Sequence, residues 1–317
     1  MKNAIGIDLG GTNIKGGLVN EEGRILAQME VPTMAHEGPD AVCSRIARMV
    51  PDLRAKAQGG AMLGVGIGAP GPLNPNKGTI YMMPNLPAWE NYPLKDKIED
   101  KVRLPVVVEN DANCAALAEA WHGAGQGVRT AILLTLGTGI GGGVLIDGRL
   151  VNGTHMSAGE VGHIVINFNG PKCGCGNHGC LEAFCGSAGI VNRAWEQLEK
   201  PGTVSILRDR IGTDKLALTP QLISEAAEKG DGVALSVLRE TGRLLGVGLV
   251  SLANIFAPEV VILGGGVARA GDVLFAAARE EVKRHALPPA NEYVKIVPAA
   301  LGNNAGVIGA AALLLSH

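Results

Sequence analysis

Three observations predict that the sequence folds as an α/β protein of two related domains. The 317 residues are enough for two hydrophobic cores. Apolar, strand-like segments that end in glycine-rich turns alternate with segments of helical periodicity. Residues 4–20 align without gaps on residues 131–147, and each stretch is an apolar strand, a glycine-rich turn and a second apolar strand. Two hairpins can look alike by chance, but the matched order favours a duplication, with the two halves facing one another across a cleft.

The first predicted element is a β-meander at the N-terminus. Its strands are AIGIDLG, GTNIKGGLVN and RILAQMEVP, separated by a glycine-rich turn and by the turn EEG. A helix is predicted from Pro39 to about Gln58, because five apolar residues between positions 42 and 53 recur at helical spacing. The next segment, LGVGIGAPGP, indicates a short apolar strand that opens into a loop rich in glycine and proline.

The rest of the chain continues this alternation. PVVVEND indicates a buried strand that ends in acid and amide groups, and ANCAALAEAWHGAG indicates a helix closed by glycine. Helices are expected to dominate from about Cys185 to Asn254. EVVILGGG is predicted to be the last buried strand, and NNAGVIGAAALLLS a terminal helix rich in small residues.

Charge and hydropathy argue against two classes of partner. The formal net charge is −2, so no broad basic field attracts nucleic acid or acidic membranes. The longest uncharged apolar run, Leu244 to Pro258, is too short to span a bilayer, and the N-terminus lacks the pattern of a signal peptide. We therefore expect a cytoplasmic protein. Thiols stay reduced in that compartment, so clustered cysteines favour a metal or catalytic site over disulfides.

The two glycine-rich turns are predicted to bind phosphate. LGTGIGGG contains a G-x-G-x-x-G match at Gly137, Gly139 and Gly142, but the strand-like continuation argues against a dinucleotide fold, which needs a helix there. Glycines still let backbone N–H groups converge on an anion, and Thr138 adds a hydroxyl. The first turn has the same form plus Asp8, a carboxylate suited to a bridging Mg²⁺ or water. Either turn alone could be a hairpin without a ligand; together they favour a nucleotide phosphate clamp.

The motif ENDAN follows a buried strand, where α/β proteins gather functional groups. A carboxylate at Asp111 can accept the proton of an attacking hydroxyl, and the amide of Asn110 can bind neighbouring hydroxyls. The alternative is that an Asn or Asp of this motif caps the following helix. Capping would then be a second role of Asp111 or Asn113.

Eight residues, CGCGNHGC, contain three of the six cysteines. Cys173, Cys175 and Cys180 with one histidine make a set typical of closed tetrahedral Zn²⁺ sites. The fourth ligand is His163, in the preceding motif GEVGH, or His178, inside the loop itself.

The motifs IDLGGTNIKGG, GAPGP, END, LGTGIGGG, GEVGH and CGCGNHGCLE, in this order, resemble the ROK family of sugar kinases and sugar-responsive repressors, and are most similar to its zinc-containing bacterial glucokinases. The resemblance runs over nearly the whole chain. It implies an actin-like ATPase fold with two α/β domains around a central cleft. Residues 1–112 plus 304–317 would form the small domain, closed by the terminal helix, and 113–303 the large domain with the structural zinc. It also implies MgATP as donor and the 6-hydroxyl of a hexose, first of all glucose, as acceptor.

The resemblance implies roles for residues at matching positions. The first phosphate loop is Asp8, Gly10, Gly11 and Thr12; the second is Thr138 and Gly139; Gly264, Gly265 and Gly266 lie near the adenosine. Asp111 is the catalytic base and contacts the sugar. Asn110, Glu160, His163 and Glu182 bind the other sugar hydroxyls, with Asn85 as a weaker candidate. Zinc is bound by His163, Cys173, Cys175 and Cys180, which favours His163 over His178. The zinc would hold GEVGH and CLE together so that their side chains meet one sugar.

Alternatives remain for the two substrates and for the functional class of the protein. The acceptor could be N-acetylmannosamine, N-acetylglucosamine or fructose, and the donor could be polyphosphate. A sugar-sensing repressor would carry a DNA-binding segment of dozens of residues before the first loop, and we expect none because that loop begins at Asp8. A catalytically inactive sugar-binding protein is disfavoured by Asp111 and the two intact turns. Family analogy implies a homodimer or homotetramer.

Overall fold

The structure of the protein is a computed structural model that describes residues 2–57, 59–83 and 88–316. Its strands are β1 Lys2–Leu9, β2 Asn13–Asn20, β3 Ile25–Pro32, β4 Ala61–Ala69, β5 Leu73–Asn74, β6 Thr79–Ile80, β7 Val106–Asn110, β8 Ala131–Leu136, β9 Ile140–Ile146, β10 Arg149–Leu150, β11 Val260–Gly264 and β12 Lys295–Pro298. Its α-helices are α1 Pro39–Arg54, α2 Leu94–Val102, α3 Asp111–His122, α4 Leu181–Cys185, α5 Ser187–Leu198, α6 Ile206–Ile211, α7 Pro220–Glu228, α8 Gly232–Phe256, α9 Asp272–His285, α10 Ala290–Tyr293 and α11 Ala305–Leu315.

The α/β class predicted from the sequence is confirmed. Contacts divide the chain into two compact units: the first contains residues 1–133, 143–159 and 299–317, and the second contains residues 134–142 and 160–298. The domain limits suggested by the family resemblance, 1–112 plus 304–317 and 113–303, stay a prediction.

One sheet lies in the first unit and has the strand order β3-β2-β1-β4-β7. The predicted meander is confirmed, because β1 pairs antiparallel with β2 and β2 pairs antiparallel with β3. Strands β4 and β7 join in parallel, so the carboxyl ends of β1, β4 and β7 lie at one edge of this sheet. That edge carries Asp8 and Asn110.

The terminal helix α11 packs directly on this sheet, at two glycines. A Cβ on Gly6 would lie 1.9 Å from the carbonyl oxygen of Val307, and one on Gly66 would lie 1.7 Å from that of Ala310. Only glycine permits so close an approach of backbone to backbone. The small residues of the predicted helix are therefore matched by glycines in β1 and β4.

A buried carboxylate binds the backbone of the segment that precedes α11. Glu119 of α3 is fully buried and accepts hydrogen bonds from the backbone N–H groups of Ala124, Ala300 and Leu301, at 2.8, 3.1 and 2.8 Å. Three donors compensate the desolvation of a charge that would otherwise be costly to bury. The segment before α11 is thus fixed to a helix that lies 181 residues earlier.

The second sheet has the order β10-β9-β8-β11-β12. Two adjacent strands of this sheet, β8 and β9, repeat the strand–glycine turn–strand pattern of β1 and β2, as the alignment of residues 4–20 on 131–147 predicts. Strand β11 is buried along its whole length, as predicted for the last buried strand, and a short strand that was not predicted, β12, pairs with it in parallel. The sequence KIVP is four residues long and buries only Ile296 in full, so it lacks the apolar run that marks a buried strand.

The helix predictions hold with one difference in length. The helix expected from Pro39 to about Gln58 ends at Arg54. Glycines 59 and 60, with φ of 91° and 92°, require the chain to leave helical geometry shortly afterwards. Helices α4 to α8 confirm the expected helical region, and α11 confirms the terminal helix. Across the described ranges, no helix combines the length and the apolar character needed to cross a membrane.

Candidate active site

The first glycine turn joins β1 and β2 and is held by a buried threonine. The N–H of Gly10 donates to the carbonyl of Asn13 at 3.1 Å, which closes the turn. Thr33, which is fully buried, donates from Oγ1 to the carbonyl of Gly10 at 2.7 Å and from its N–H to that of Thr12 at 2.8 Å. Gly11 and Thr12 are exposed. The turn thus has a fixed base and an accessible tip, as a phosphate loop requires.

Asp8 lies at the end of β1, just before this turn. Burial raises the pKa of its carboxyl, and the Lys15 ammonium offsets part of that rise. The first turn of α11 lies close by, since a Cβ on Gly306 would be 2.6 Å from Asp8 Oδ2. An ionised carboxylate in this position is stabilised by a nearby cation, so the residue fits the expected Mg²⁺.

The ENDAN motif spans the end of β7 and the start of α3, as predicted. The helix cap is Asn110, and not Asp111 or Asn113 as the sequence suggested. Asn110 Oδ1 accepts from the N–H groups of Ala112 at 2.9 Å and Asn113 at 3.2 Å. The residue before the first helical position has the extended backbone that directs its side chain back to these donors. The amide nitrogen of Asn110 remains for other partners and lies 3.4 Å from the carbonyl of Gly71.

Asp111 is the first residue of α3, and its Oδ1 also accepts from the N–H of Ala112, at 2.8 Å. A half-exposed carboxylate at the carboxyl edge of the first sheet is able to accept a proton.

A buried polar cluster supports this motif, and sequence reasoning missed it. Glu109 is 5% exposed; its Oε1 accepts from the N–H of Asn110 at 2.8 Å and from Asn113 Nδ2 at 3.1 Å. Its Oε2 accepts from Asn152 Nδ2 at 2.9 Å. The one signal available in the sequence was an acid inside an otherwise apolar strand; nothing marked Asn152.

The second glycine turn, in the second unit, joins β8 and β9. The N–H of Gly137 donates to the carbonyl of Gly139 at 2.9 Å, and Thr138 at the tip is exposed. Ser187, the first residue of α5, donates to the carbonyl of Gly137 from both Oγ, at 2.8 Å, and its N–H, at 3.0 Å. Sequence reasoning did not single out Ser187 or Thr33, because each lies far along the chain from the turn that it contacts.

Glu182 lies in α4 and reaches the same turn. Its Oε2 accepts from the N–H of Ile140 at 2.8 Å, and a Cβ on Gly139 would lie 2.3 Å from this oxygen. The thiol of Cys173 donates to its other oxygen, Oε1, at 3.4 Å. Each carboxylate oxygen retains a further acceptor site, so these contacts are compatible with binding a sugar hydroxyl.

His163 and three cysteines form a metal-binding cluster. The ligand atoms of His163, Cys173, Cys175 and Cys180 all lie within 4.8 Å of one another. Cys175 Sγ and Cys180 Sγ are 3.7 Å apart, close to the separation of about 3.8 Å that Zn–S bonds of about 2.3 Å give in a tetrahedral site. His178 contacts the carbonyl of Gly170 at 3.3 Å and is not in the cluster. The residues present therefore fit a closed Cys₃His zinc site with His163 as the fourth ligand.

The local chain explains how these ligands meet. His163 ends a short helical turn, Val161–His163, and the cysteines lie on a hairpin bridged by the pairs Val165–Cys180 and Lys172–His178. Burial raises the pKa of the Cys173 thiol to about 12, which favours the protonated form until a cation stabilises the thiolate. Cys175, which is exposed, receives a backbone hydrogen bond from Asn177 that lowers its thiol pKa.

The remaining predicted residues lie as follows. Gly264 ends β11, and Gly265 has φ of +86° and would place a Cβ 2.3 Å from the carbonyl of Leu136; Gly266 is exposed with open space around it. Glu160 is exposed, and its carbonyl accepts from the N–H of His163 at 3.0 Å. Asn85 lies outside the described residues.

Known proteins resemble this chain over almost its full length. The ROK family profile matches residues 4–317. A glucokinase of Halalkalibacterium halodurans is 39% identical over 313 residues, covering 96% of this chain and 92% of that protein. A xylose repressor of Caldicellulosiruptor bescii is 34% identical, covering 98% of this chain and 78% of that protein. The ROK family glucokinase from Streptomyces griseus, in complex with glucose and AMPPNP, has a TM-score of 0.82 and 38% identity, covering 99% of this chain and all of that chain. The expected actin-like ATPase fold is thereby confirmed, and the chain belongs to the ROK family.

Proposed function

We propose that the protein is an ATP-dependent glucokinase that transfers the γ-phosphoryl group of MgATP to the 6-hydroxyl of glucose. The observation that carries the proposal is the likeness, over 99% of this chain, to a glucokinase structure that holds glucose and AMPPNP. The two fixed glycine turns with exposed tips, and the carboxylate of Asp111 at the start of α3, support the same reaction.

The donor would be held by backbone and hydroxyl groups of both turns. In the first unit these are Gly10, Gly11 and Thr12, and in the second Thr138 and Gly139, with Gly264, Gly265 and Gly266 beside the adenosine. Asp8 would hold the Mg²⁺ directly or through water. When bound, Mg²⁺ neutralises charge on the β- and γ-phosphates. The turns then hold the phosphates in place, so the barrier falls mainly through positioning and electrostatics.

Asp111 would act as the base. As the 6-hydroxyl oxygen forms its bond to the γ-phosphorus, its proton passes to the Asp111 carboxylate, the bond from that phosphorus to the bridging oxygen breaks, and ADP leaves with the electron pair. The hydrogen bond from the N–H of Ala112 to Oδ1 holds this carboxylate at the start of α3.

The sugar would be oriented by Asn110, Glu160, His163 and Glu182. Nδ1 of His163 lies 3.6 Å from Cys173 Sγ, on the metal side of the ring, which leaves Nε2 for a sugar hydroxyl. A closed zinc site supplies no reactive water; it fixes the ring of His163 and the hairpin before Glu182.

The decisive experiment is a matrix of sugars against donors in which the sugar phosphate, the product common to both donors, is quantified. Glucose, N-acetylmannosamine, N-acetylglucosamine and fructose are each tested with ATP and with polyphosphate. We expect the highest kcat/KM for glucose with ATP. A higher value for another sugar would reassign the acceptor, and turnover with polyphosphate alone would reassign the donor.

The likeness to a xylose repressor supports a second candidate, a sugar-responsive DNA-binding role. The kinase proposal is favoured because the net charge of −2 provides no basic field for DNA. Mobility-shift measurements with and without glucose separate the two, and sugar-dependent DNA binding without phosphorylation would favour the repressor.

Two finer points accompany the proposed activity. A reduced thiolate zinc cluster suits the cytoplasm, where thiols are not oxidised.

Exposed apolar side chains on the second unit, at Ile255, Leu287 and Tyr293, support a homodimer or homotetramer. Light scattering on the eluting protein measures that state directly.

A further inference from the structure

The two glycine turns share a feature that no motif encodes: each is held at the same carbonyl by a side-chain hydroxyl from another segment. In the alignment of residues 4–20 on 131–147, Gly10 corresponds to Gly137. Thr33 Oγ1 donates to the carbonyl of Gly10 at 2.7 Å, and Ser187 Oγ donates to that of Gly137 at 2.8 Å. Each residue adds a backbone N–H bond to its turn, at 2.8 and 3.0 Å.

The planarity of the peptide bond gives this contact a consequence for ligand binding. In a trans peptide the C=O of one residue and the N–H of the next point in opposite directions. Fixing the carbonyl of Gly10 therefore fixes the direction of the Gly11 N–H, and fixing that of Gly137 fixes the Thr138 N–H. Neither N–H has a hydrogen-bond partner among the described residues, and both residues are exposed. Exposed, unpaired N–H groups with a fixed direction are the donors that an oxyanion requires.

We infer that Thr33 and Ser187 are positioning residues for the phosphoryl donor, one for each turn. They touch no substrate; they preorganise the Gly11 and Thr138 N–H groups that bind phosphate oxygens. Glycine-rich turns have many accessible conformations, so an external contact that selects one conformation lowers the entropy lost on binding. The inference rests on the proposed function only in naming a nucleotide as the anion.

Hydroxyl-deleting variants test each contact separately. Thr33→Val keeps the shape and volume of threonine, and Ser187→Ala removes only the oxygen. For each variant we expect the dissociation constant of MgATP, measured by calorimetry, and the KM for ATP to rise about 3- to 10-fold, the effect of one net hydrogen bond. The KM for glucose and the zinc content should stay at wild-type values, because each hydroxyl is hydrogen-bonded to its own turn and not to His163 or a cysteine of the cluster.

Rescue and control variants exclude a general loss of structure. Thr33→Ser and Ser187→Thr retain the hydroxyl and should bind MgATP as the wild type does. Thr203→Val and Ser224→Ala remove similar hydroxyl–carbonyl bonds, at 3.0 and 3.1 Å, elsewhere in the second unit and should leave MgATP affinity unchanged.

Each outcome bears on the inference. Wild-type MgATP affinity in a folded Thr33→Val or Ser187→Ala variant overturns it for that turn. Weak binding by Thr33→Ser, equal to that of Thr33→Val, also overturns it, even if the valine variant folds poorly. A wild-type protein that binds MgATP but phosphorylates no sugar contradicts the proposed function while the affinity comparison still decides this inference; a wild type that does not bind MgATP overturns both.

Discussion

Asp111 combines two properties that a proton acceptor needs: a carboxylate held by a hydrogen bond at the start of α3 and a position at the carboxyl edge of the first sheet. Replacing it with asparagine keeps the shape and removes the basicity. We predict that Asp111→Asn lowers kcat by about 10²–10⁴-fold, the usual contribution of general base catalysis, with little change in glucose affinity.

Steady-state kinetics and glucose calorimetry measure the two quantities. Asp147→Asn is the matched control, because Asp147 is an exposed turn residue with φ of 51°, a conformation that asparagine tolerates. Near-normal turnover by Asp111→Asn would remove this residue from the catalytic role.

Asp8 carries a stability cost in the absence of ligand. Burial raises its folded-state pKa, so ionisation disfavours the folded state at any pH above the unfolded value of about 3.8. The penalty is absent below that value, grows as the pH rises toward the folded pKa and is complete above it. We predict that Asp8→Asn has a higher Tm than the wild type at pH 7 without nucleotide, and that the difference shrinks as the pH falls toward 4.

Thermal unfolding across this pH range tests the prediction, and the same variant should lose MgATP affinity because it cannot hold the cation. A Tm at pH 7 below that of the wild type would contradict the assigned cost. Glu228→Gln, an exposed acid of α7, should change the Tm little at any pH.

At the scale of elements, the zinc hairpin should act as a unit. Cys175→Ala removes one of four ligands from a closed site, so we predict that purified protein loses its zinc and, with it, glucose affinity. His178→Ala changes a neighbouring residue outside the cluster and should retain about one zinc per chain, as a single closed site predicts.

Metal analysis and glucose calorimetry on the two variants give the result. Full glucose affinity without zinc in Cys175→Ala would show that the metal does not shape the sugar site. Loss of zinc in His178→Ala would return this histidine to the ligand set.

Local elements and their motifs were predictable because their signals are local. The meander, both glycine hairpins, α3 and α11 follow from apolar periodicity and glycine positions within a few residues. The spacing of the motif narrowed the candidate zinc ligands to three cysteines and one of two histidines. The family resemblance then favoured His163 over His178. The contacts of Glu109 with Asn152, of Thr33 with Gly10 and of Ser187 with Gly137 could not be predicted, since they join residues 23 to 50 positions apart through tertiary packing. Strand β12 escaped prediction because an edge strand of four residues buries too little to show a pattern.

At the scale of the whole molecule, Glu119 connects the middle of the chain to its last helix. Glutamine in its place keeps one acceptor and turns an NH₂ group toward backbone N–H donors, leaving at least one of them unsatisfied. We predict that Glu119→Gln lowers the free energy of unfolding by about 2–4 kcal/mol, the range for disrupting buried charged hydrogen bonds.

Denaturant unfolding measures this loss, with the exposed Glu228→Gln again as the control. A change in Glu119→Gln no larger than in that control would mean that solvent or rearrangement satisfies the three N–H groups.

The packing of α11 on Gly6 and Gly66 also has a consequence for biosynthesis. Strands β1 and β4 leave the ribosome early, but the helix that covers them is translated long after them. Until α11 has been translated, the nascent chain therefore exposes the glycine-lined face of this sheet, together with its apolar neighbours. Because folding of the first unit must close the long loop between β4 and α11, we expect it to finish only after α11 has emerged and to be the step most dependent on chaperones.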